Sequence, residues 1–303
     1  MGVSISAVQN TLELYNLGYL KDSKSIFELG SQDLHIKKKD LKQLFDDAGL
    51  DSNVVDEYPN LDNWPGQPRC SAKFFYESLG IKEYQCMDTN GYHGSIVHDL
   101  NKPFEDKSKF NEFDIVTDHG TTEHVFNIAE CYKTMHNLTK PGGYIIVQQA
   151  VFHSHNHGYF LFDDSFIDGI AAANSYKVIY NSYILNFKTK TKSGSEYQFH
   201  IPKNKVLSNS IDYTKLTQLN IYGVLQKTTD EEFKIPYQGN LMKDVYNVPG
   251  GFNRIHQREP MGYTFVPSST LTIEEAPLRY LIKALIIKFK KILRIKMAKK
   301  VHR

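Results

Sequence analysis

The chain has 303 residues, of which 41% are hydrophobic and 13% aromatic, a composition typical of a folded globular protein and not of a disordered one. Lys and Arg number 36 against 34 Asp and Glu, and the three separated cysteines argue against both a disulfide framework and a thiolate zinc site. The same cysteine content favours a reducing, cytoplasmic location. No run of about 18 apolar residues occurs, which argues against a transmembrane helix.

Strand-like and helical segments alternate over most of the chain. Apolar residues spaced over positions 7–20 predict a helix, and the apolar residues Ile26, Phe27 and Leu29 then predict a first buried strand. Six further segments are strand-like: Tyr84–Asp88, Ile96–Leu100, Phe113–Thr117, Tyr144–Gln148, Tyr176–Phe187 and Tyr222–Lys227. Helical stretches between them predict an α/β fold with a doubly wound, mostly parallel, seven-stranded sheet, and a ligand crevice at the carboxyl ends of the strands.

The turn after the first strand contains an acid and one glycine. Gly30 is the residue type that a turn needs where the backbone takes a positive φ or approaches a ligand closely. The dinucleotide fingerprint G-x-G-x-x-G is absent, because Ser31, Gln32 and Asp33 follow Gly30. A nicotinamide-dependent oxidoreductase would need the missing glycines, so the sequence disfavours that class.

Several strand ends together resemble a known family. Glu28-x-Gly30, Asp88, Asp99-Leu100, Phe113–Val116 and the turn Lys140–Gly143 follow in the order found in the class I S-adenosylmethionine-dependent methyltransferases. The resemblance covers roughly residues 20–235 and implies a Rossmann-like fold, S-adenosylmethionine as cofactor and an N-terminal helix that closes over the cofactor or the substrate. The family usually has two or three glycines in the first turn, and this chain has only Gly30.

The resemblance also implies roles for particular residues. It predicts seven cofactor-binding residues: Glu28, Gly30, Ser31, Asp88, Asp99, Leu100 and Asp118. Glu28 and Gly30 would border the methionine end, Asp88 would accept hydrogen bonds from the ribose hydroxyls, and Asp99 with Leu100 would hold the adenine. Asp118 would face the methyl donor. The alternative for each of these acids is that it does not bind the cofactor and is simply a solvated residue at the end of a strand.

Histidines are the candidates for the catalytic base, since an imidazole titrates near neutral pH. We predict His119, His153, His155 and His157 as catalytic candidates. The alternating spacing of the last three would put their rings on one side of an extended segment, which would suit substrate contact, proton removal or a metal ion. A purely structural role is the further alternative, and no metal ligand is assigned.

The C-terminal region differs from the rest of the chain. Residues 276–303 contain ten Lys or Arg and no Asp or Glu, which leaves the preceding residues with a formal charge of about −8. Leu278, Leu281, Ile282 and Leu285 begin an apolar stripe at helical spacing, with basic residues on the opposite face. This pattern predicts a basic amphipathic helix that either binds an anionic membrane surface or docks on protein.

These features predict a methyltransferase-like domain over residues 1–240, an irregular arm over 241–275 and the basic helix over 276–303. We expect methyl transfer to an oxygen or nitrogen of a small molecule or saccharide, at a membrane surface if the basic helix binds one. Asp118-His-Gly-Thr121 stands where nucleic-acid amino-methyltransferases have Asn/Asp-Pro-Pro-aromatic, so no nucleic-acid partner is expected. The alternative is a non-catalytic, membrane-associated binding or scaffold protein that retains the fold.

Overall fold

The computed structural model describes residues 2–152, 157–190, 196–201 and 219–237, with side chains for 2–151, 157–184 and 219–237. Within these ranges the α-helices are α1 (Ile5–Asn16), α2 (Lys38–Asp47), α3 (Lys73–Ser78), α4 (Ile128–Leu138) and α5 (Asp164–Ala173). The strands are β1 (Gly2–Ser4), β2 (Ser25–Leu29), β3 (Asp33–His35), β4 (Glu83–Asp88), β5 (Ile96–Val97), β6 (Phe113–His119), β7 (Thr139–Phe152), β8 (Lys177–Lys190), β9 (Glu196–Ile201) and β10 (Leu219–Gln226).

The main sheet has the strand order β5-β4-β2-β6-β7-β10-β8-β9. The first five of these strands are parallel, and β10 is antiparallel to both β7 and β8. The predicted doubly wound, mostly parallel sheet is therefore confirmed. It has one strand more than predicted, because β9 pairs with the outer edge of β8. A separate two-stranded sheet joins β1 and β3.

Two apolar layers cover the main sheet, and β2 shows how the sequence produces them. Successive side chains of a strand point to opposite faces. Ile26 therefore packs with α1, α2 and α3 in one core, whereas Phe27 and Leu29 pack with α4 and α5 in the other. All five residues of β2 are buried, including the polar Ser25 and Glu28, as expected for a strand that is covered on both faces.

Two predicted segments differ in detail from the structure. The strand predicted over Ile96–Leu100 ends at Val97, since Asp99 accepts a hydrogen bond from the Asn101 amide and turns the chain. The turn at Pro141–Gly143 lies within β7. The register of β7 against β6 moves from Phe113–Thr139 to Ile115–Tyr144 across it, so the extra residues leave the ladder as a bulge.

The parts of the prediction that concern the C-terminus lie outside the described residues. This applies to the arm at 241–275 and the basic helix at 276–303, so the division into domains stays a prediction. Among the helices in the described ranges, none has the length and apolar character needed to cross a membrane.

A buried lysine ties the antiparallel strand β10 to the start of β7. Lys227 is 1% exposed and follows directly after β10. Its ammonium group donates to the carbonyls of His136 and Thr139, both at 2.9 Å, and to Oδ1 of Asn111 at 2.7 Å. The lysine thus satisfies the carbonyls at the end of α4, where a helix leaves them without intrahelical partners.

We expect Lys227→Met to lower the free energy of unfolding by about 3 kcal/mol, because two buried carbonyls lose their donor. Lys234→Met is the matched control. Lys234 forms a partly exposed pair with Glu231 at 2.7 Å, and such pairs contribute about 0–1 kcal/mol. Urea unfolding of the two variants measures the difference, and equal losses would contradict the anchoring role of Lys227.

Candidate active site

The carboxyl ends of four parallel strands meet at one edge of the sheet. The register pairs Leu29 with Met87 on one side and with Asp118 on the other, and Asp118 pairs with Val147. The predicted residues that follow β2, β4 and β6 therefore lie side by side, at the edge where open α/β sheets bind their ligands.

The turn after β2 is held by Asp88 at the end of β4. Gly30 has φ 85°, a conformation that favours glycine, and its amide donates to the Met87 carbonyl at 2.8 Å. The Ser31 amide and hydroxyl both donate to Oδ2 of Asp88, at 2.9 and 3.0 Å. In this glycine-poor turn, Ser31 thus fixes the backbone next to the acid predicted to bind ribose.

The predicted adenine-binding pair lies beyond β5. Asp99 accepts hydrogen bonds from the amide and side chain of Asn101, both at 3.0 Å, and these bonds lower the pKa of its carboxyl group. Its side chain is 42% exposed, whereas Leu100 is buried. Asp99 therefore offers an accessible, ionised hydrogen-bond acceptor, and the neighbouring Leu100 offers an apolar side chain. An adenine ring can use both a hydrogen bond and an apolar contact.

Asp118 closes the turn after β6. Its Oδ1 accepts from the amides of Thr121 and Thr122 at 3.0 and 3.2 Å, and its Oδ2 accepts from the Thr122 hydroxyl at 2.5 Å and from the side chain of Gln149. Burial raises the pKa of the Asp118 carboxyl to about 6, against the effect of these bonds. The side chain is fully buried, so this acid shapes the turn that would face the methyl donor.

The same turn is joined to β2. The Thr121 hydroxyl donates to the Leu29 carbonyl at 2.7 Å and accepts from Nε2 of Gln32 at 2.9 Å. Sequence reasoning missed Gln32 and Gln149. Neither belongs to a motif, and only the pairing of β2, β6 and β7 brings them to Asp118 and Thr121.

His119 lies at the end of β6 and is 6% exposed. Burial lowers the pKa of its imidazole to about 4, so the ring is neutral at pH 7. Neither ring nitrogen has a hydrogen-bond partner within the described ranges, and the same holds for Oε1 of Gln32 and Oε1 of Gln148. Buried polar atoms are normally paired, so these unpaired atoms near the strand ends fit contacts with a polar ligand.

Glu28 lies in β2, two residues before Gly30, and its side chain is fully buried. Its carboxyl group accepts from the Tyr84 hydroxyl at 2.7 Å and from the Thr117 hydroxyl at 3.3 Å. Loss of solvation raises the pKa of Glu28 to about 7, although the hydrogen bond from Tyr84 acts in the opposite direction. The structure places this predicted cofactor residue behind the turn, where it supports β2 and β4.

Of the three alternating histidines predicted as catalytic candidates, one lies within the described residues. His153 and His155 lie outside the described residues. His157 is 53% exposed, and its Nε2 lies 2.8 Å from Oε1 of Glu123. Sequence reasoning missed Glu123, although the run Thr121–His124 directly after a strand end was a signal that could have identified it.

A surface cavity lies beside helices α4 and α5. It has a volume of about 460 Å³ between α4 and α5 and is lined mainly by aromatic and aliphatic side chains, among them Tyr132, Phe160, Phe166 and Tyr237. None of the predicted cofactor residues lines it.

Residues 93–201 match the family model described as a methyltransferase domain. A comparison with curated protein sequences gives no match. Among solved structures, the chain resembles the 1,6-didemethyltoxoflavin-N1-methyltransferase of Burkholderia thailandensis with bound 1,6-didemethyltoxoflavin and S-adenosylhomocysteine (9% identity, TM-score 0.39, 74% of this chain and 79% of that one). It also resembles a SAM-dependent methyltransferase from Archaeoglobus fulgidus (11% identity, TM-score 0.41, 74% and 95%).

A third structure is the phosphoethanolamine N-methyltransferase 2 of Haemonchus contortus in complex with phosphomonomethylethanolamine and S-adenosylhomocysteine (12% identity, TM-score 0.35, 73% and 53%). Likenesses this weak say nothing about the acceptor of this chain. The family match over residues 93–201 and the strand order, with antiparallel β10 beside β7, support the predicted class I S-adenosylmethionine-dependent methyltransferase family. The same match supports the predicted enzyme class, and the cofactor S-adenosylmethionine is the one that this class uses.

The buried carboxyl group of Glu28 predicts a pH-dependent stability. Its folded-state pKa is about 7 and its ordinary value 4.5, so the folded state binds the proton more tightly. The resulting stabilisation is fully present below pH 4.5 and is lost as the pH rises through 7, by about 3 kcal/mol in total.

We therefore expect Glu28→Gln to equal the unchanged protein in stability below pH 4.5 and to exceed it at pH 8. Denaturant unfolding across this pH range measures the difference. Glu83→Gln is the control, since Glu83 lies exposed at the start of β4. A difference between Glu28→Gln and the unchanged protein that does not vary with pH would refute the raised pKa.

Proposed function

We propose that this methyltransferase acts on an oxygen or nitrogen nucleophile of a small molecule or saccharide, with the cofactor bound across the carboxyl ends of β2, β4, β5 and β6. The observation that carries the proposal is the register that aligns Gly30, Asp88 and His119 at one edge of the sheet. When bound, S-adenosylmethionine would supply a methyl group on a positively charged sulfur.

The residues at this edge have the chemistry to hold such a cofactor. Asp88 presents a carboxylate at a strand end, where it can accept hydrogen bonds from two ribose hydroxyls, and Ser31 fixes its orientation. Asp99 and Leu100 offer a hydrogen-bond acceptor and an apolar surface to the adenine. Gly30 allows the backbone to approach the methionine end.

His119 is the histidine best placed to meet the acceptor. The ring is neutral at pH 7, and its nitrogens have no partner in the described part of the chain. One nitrogen can therefore accept a hydrogen bond from the hydroxyl or amine that is to be methylated. Methyl transfer needs positioning of the nucleophile more than strong acid–base catalysis, so a weakly basic imidazole is sufficient for this role.

The cofactor site can be tested by calorimetric titration with S-adenosylmethionine and S-adenosylhomocysteine. We expect micromolar binding, and at least a tenfold loss for Asp88→Ala, because the ribose hydroxyls lose their acceptor and Ser31 is released; tenfold corresponds to about 1.4 kcal/mol. Asp106→Ala is a matched control. Asp106 also accepts from a serine amide and hydroxyl, those of Ser108, but it lies in the loop that precedes β6.

Absence of binding to either ligand by the folded protein would overturn the proposal. The non-catalytic scaffold would then be the better hypothesis. Equal losses in the Asp88 and Asp106 variants would show that the effect is not local to the strand ends.

We further propose that the protein works at an anionic membrane surface through residues 276–303. The support is the sequence pattern alone: ten basic residues, no acidic ones, and an apolar stripe at helical spacing. Each cation near an anionic leaflet contributes about 1 kcal/mol. Residues 1–275 carry a net negative charge, so the electrostatic attraction to an anionic surface would come from residues 276–303.

Sedimentation with lipid vesicles tests this second proposal. We expect the full chain to bind vesicles containing phosphatidylglycerol, not phosphatidylcholine alone, and to dissociate at high salt. Replacing Arg279, Lys283, Lys290 and Arg294 by Gln should weaken binding at least tenfold, because four cations are lost. The control replaces four other basic residues by Gln: Lys37, Lys38, Lys39 and Lys42. Equal binding by the C-terminal variant would favour docking of this segment on protein.

A further inference from the structure

One carboxylate and two imidazoles converge directly after β6. Oε1 of Glu123 lies 2.8 Å from Nε2 of His157 and 3.6 Å from Nε2 of His124. One potential ligand atom from each of the three residues lies within 4.8 Å of the other two. The two rings are 5.0 Å apart between centroids, and the ring nitrogen Nε2 of each lies near the same carboxylate oxygen.

The carboxylate is fixed before any ligand binds. The side chain of Glu123 is 2% exposed, and its Oε2 accepts from the Ala150 amide at the end of β7 at 3.1 Å. That hydrogen bond occupies Oε2, whereas Oε1 faces the two histidines. A buried carboxylate held in this way is a preorganised ligand.

Backbone hydrogen bonds hold the segment next to His157 against Glu123. The amides of Tyr159 and Phe160 donate to the Glu123 carbonyl at 2.7 and 3.2 Å. Between them and His157, Gly158 passes so close that a Cβ would lie 2.6 Å from the Glu123 carbonyl oxygen. Glycine therefore permits the approach that brings His157 to Glu123, although the two residues are far apart in sequence.

We propose that Glu123, His124 and His157 bind a divalent transition-metal ion, with Zn²⁺ as the probe. Two imidazoles and one carboxylate suit zinc and similar ions, whereas Mg²⁺ and Ca²⁺ prefer sets made of oxygen alone. Three protein ligands leave at least one coordination position open, as in catalytic metal sites. From the sequence, a metal ion was one alternative for His153, His155 and His157, whereas the fold brings His157 to Glu123 and His124.

The position of the site gives it a role that rests on the proposed function. It follows the turn of Asp118 and His119 and contacts the end of β7, so it borders the edge where the acceptor would bind. A metal ion there would coordinate a hydroxyl oxygen and lower its pKa. The hydroxyl proton would pass to solvent, and an O–CH₃ bond would form as the S–CH₃ bond breaks, with the electron pair retained by sulfur. The site therefore favours a hydroxyl-bearing acceptor.

Metal binding is tested on the full chain after removal of metals with a chelator. Titration with Zn²⁺ is followed by calorimetry, and titration with Co²⁺ by visible absorption. We expect one saturable site and at least a tenfold loss of affinity in Glu123→Gln and in His157→Asn. The glutamine retains an oxygen that can accept from the Ala150 amide, so the first variant should fold. His98→Asn is the control, since its ring lies against the Lys102 carbonyl and Phe104 and is not part of the cluster of Glu123, His124 and His157.

Two results would overturn the proposal. Absence of saturable binding by the folded protein would leave Glu123 and His157 as a simple hydrogen-bonded pair. Binding that both variants retain would assign the metal to other residues. Titration with S-adenosylhomocysteine in metal-free buffer tests the methyltransferase proposal separately, so failure of one proposal can be told from failure of the other.

Discussion

The buried carboxylate of Asp118 is the interaction on which the rest of the site depends. It gathers the amides of Thr121 and Thr122, the hydroxyl of Thr122 and the side chain of Gln149 into one network. A buried carboxylate without partners is costly, and here both oxygens of Asp118 accept hydrogen bonds. These bonds hold the turn after β6, which follows His119 in the chain and leads to Glu123.

This network also explains how a turn with a single glycine can serve a cofactor site. Thr121 bonds to the Leu29 carbonyl and to Gln32, so the turn after β6 supports the turn after β2. From the other side, Asp88 holds Ser31. Hydrogen bonds from both neighbouring strands thus fix a backbone that additional glycines would leave more flexible.

Two neighbouring groups at the same edge offer different chemistry. His119 is buried, neutral and unpaired within the described residues, which suits a hydrogen bond to an uncharged nucleophile. Glu123 and His157 form a partly exposed pair with His124 beside it, which suits a cation. Both groups follow β6 in the chain, on either side of the turn that Asp118 holds.

The sequence by itself determined the class of fold and the order of the strand-end residues. Segments such as Ser25–Leu29, with three apolar residues among five, have the length of a strand and not of a helix. The acids and the glycine at the ends of such strands mark the edge where an α/β sheet binds its ligand. The turn at Pro141–Gly143 was recognised in the sequence, although the structure places it as a bulge inside β7.

Only the tertiary structure decided which side chains meet. The resemblance to the family implied cofactor contacts for Glu28 and Asp118. The tertiary structure adds that both are buried, with Glu28 bonded to Tyr84 and Asp118 at the centre of a turn. Gln149 and Glu123 have no motif, and they join the site because β6 and β7 pair in parallel and Gly158 allows a close approach. Sequence patterns report local periodicity, whereas contacts between distant residues depend on strand register and on the space available to each side chain.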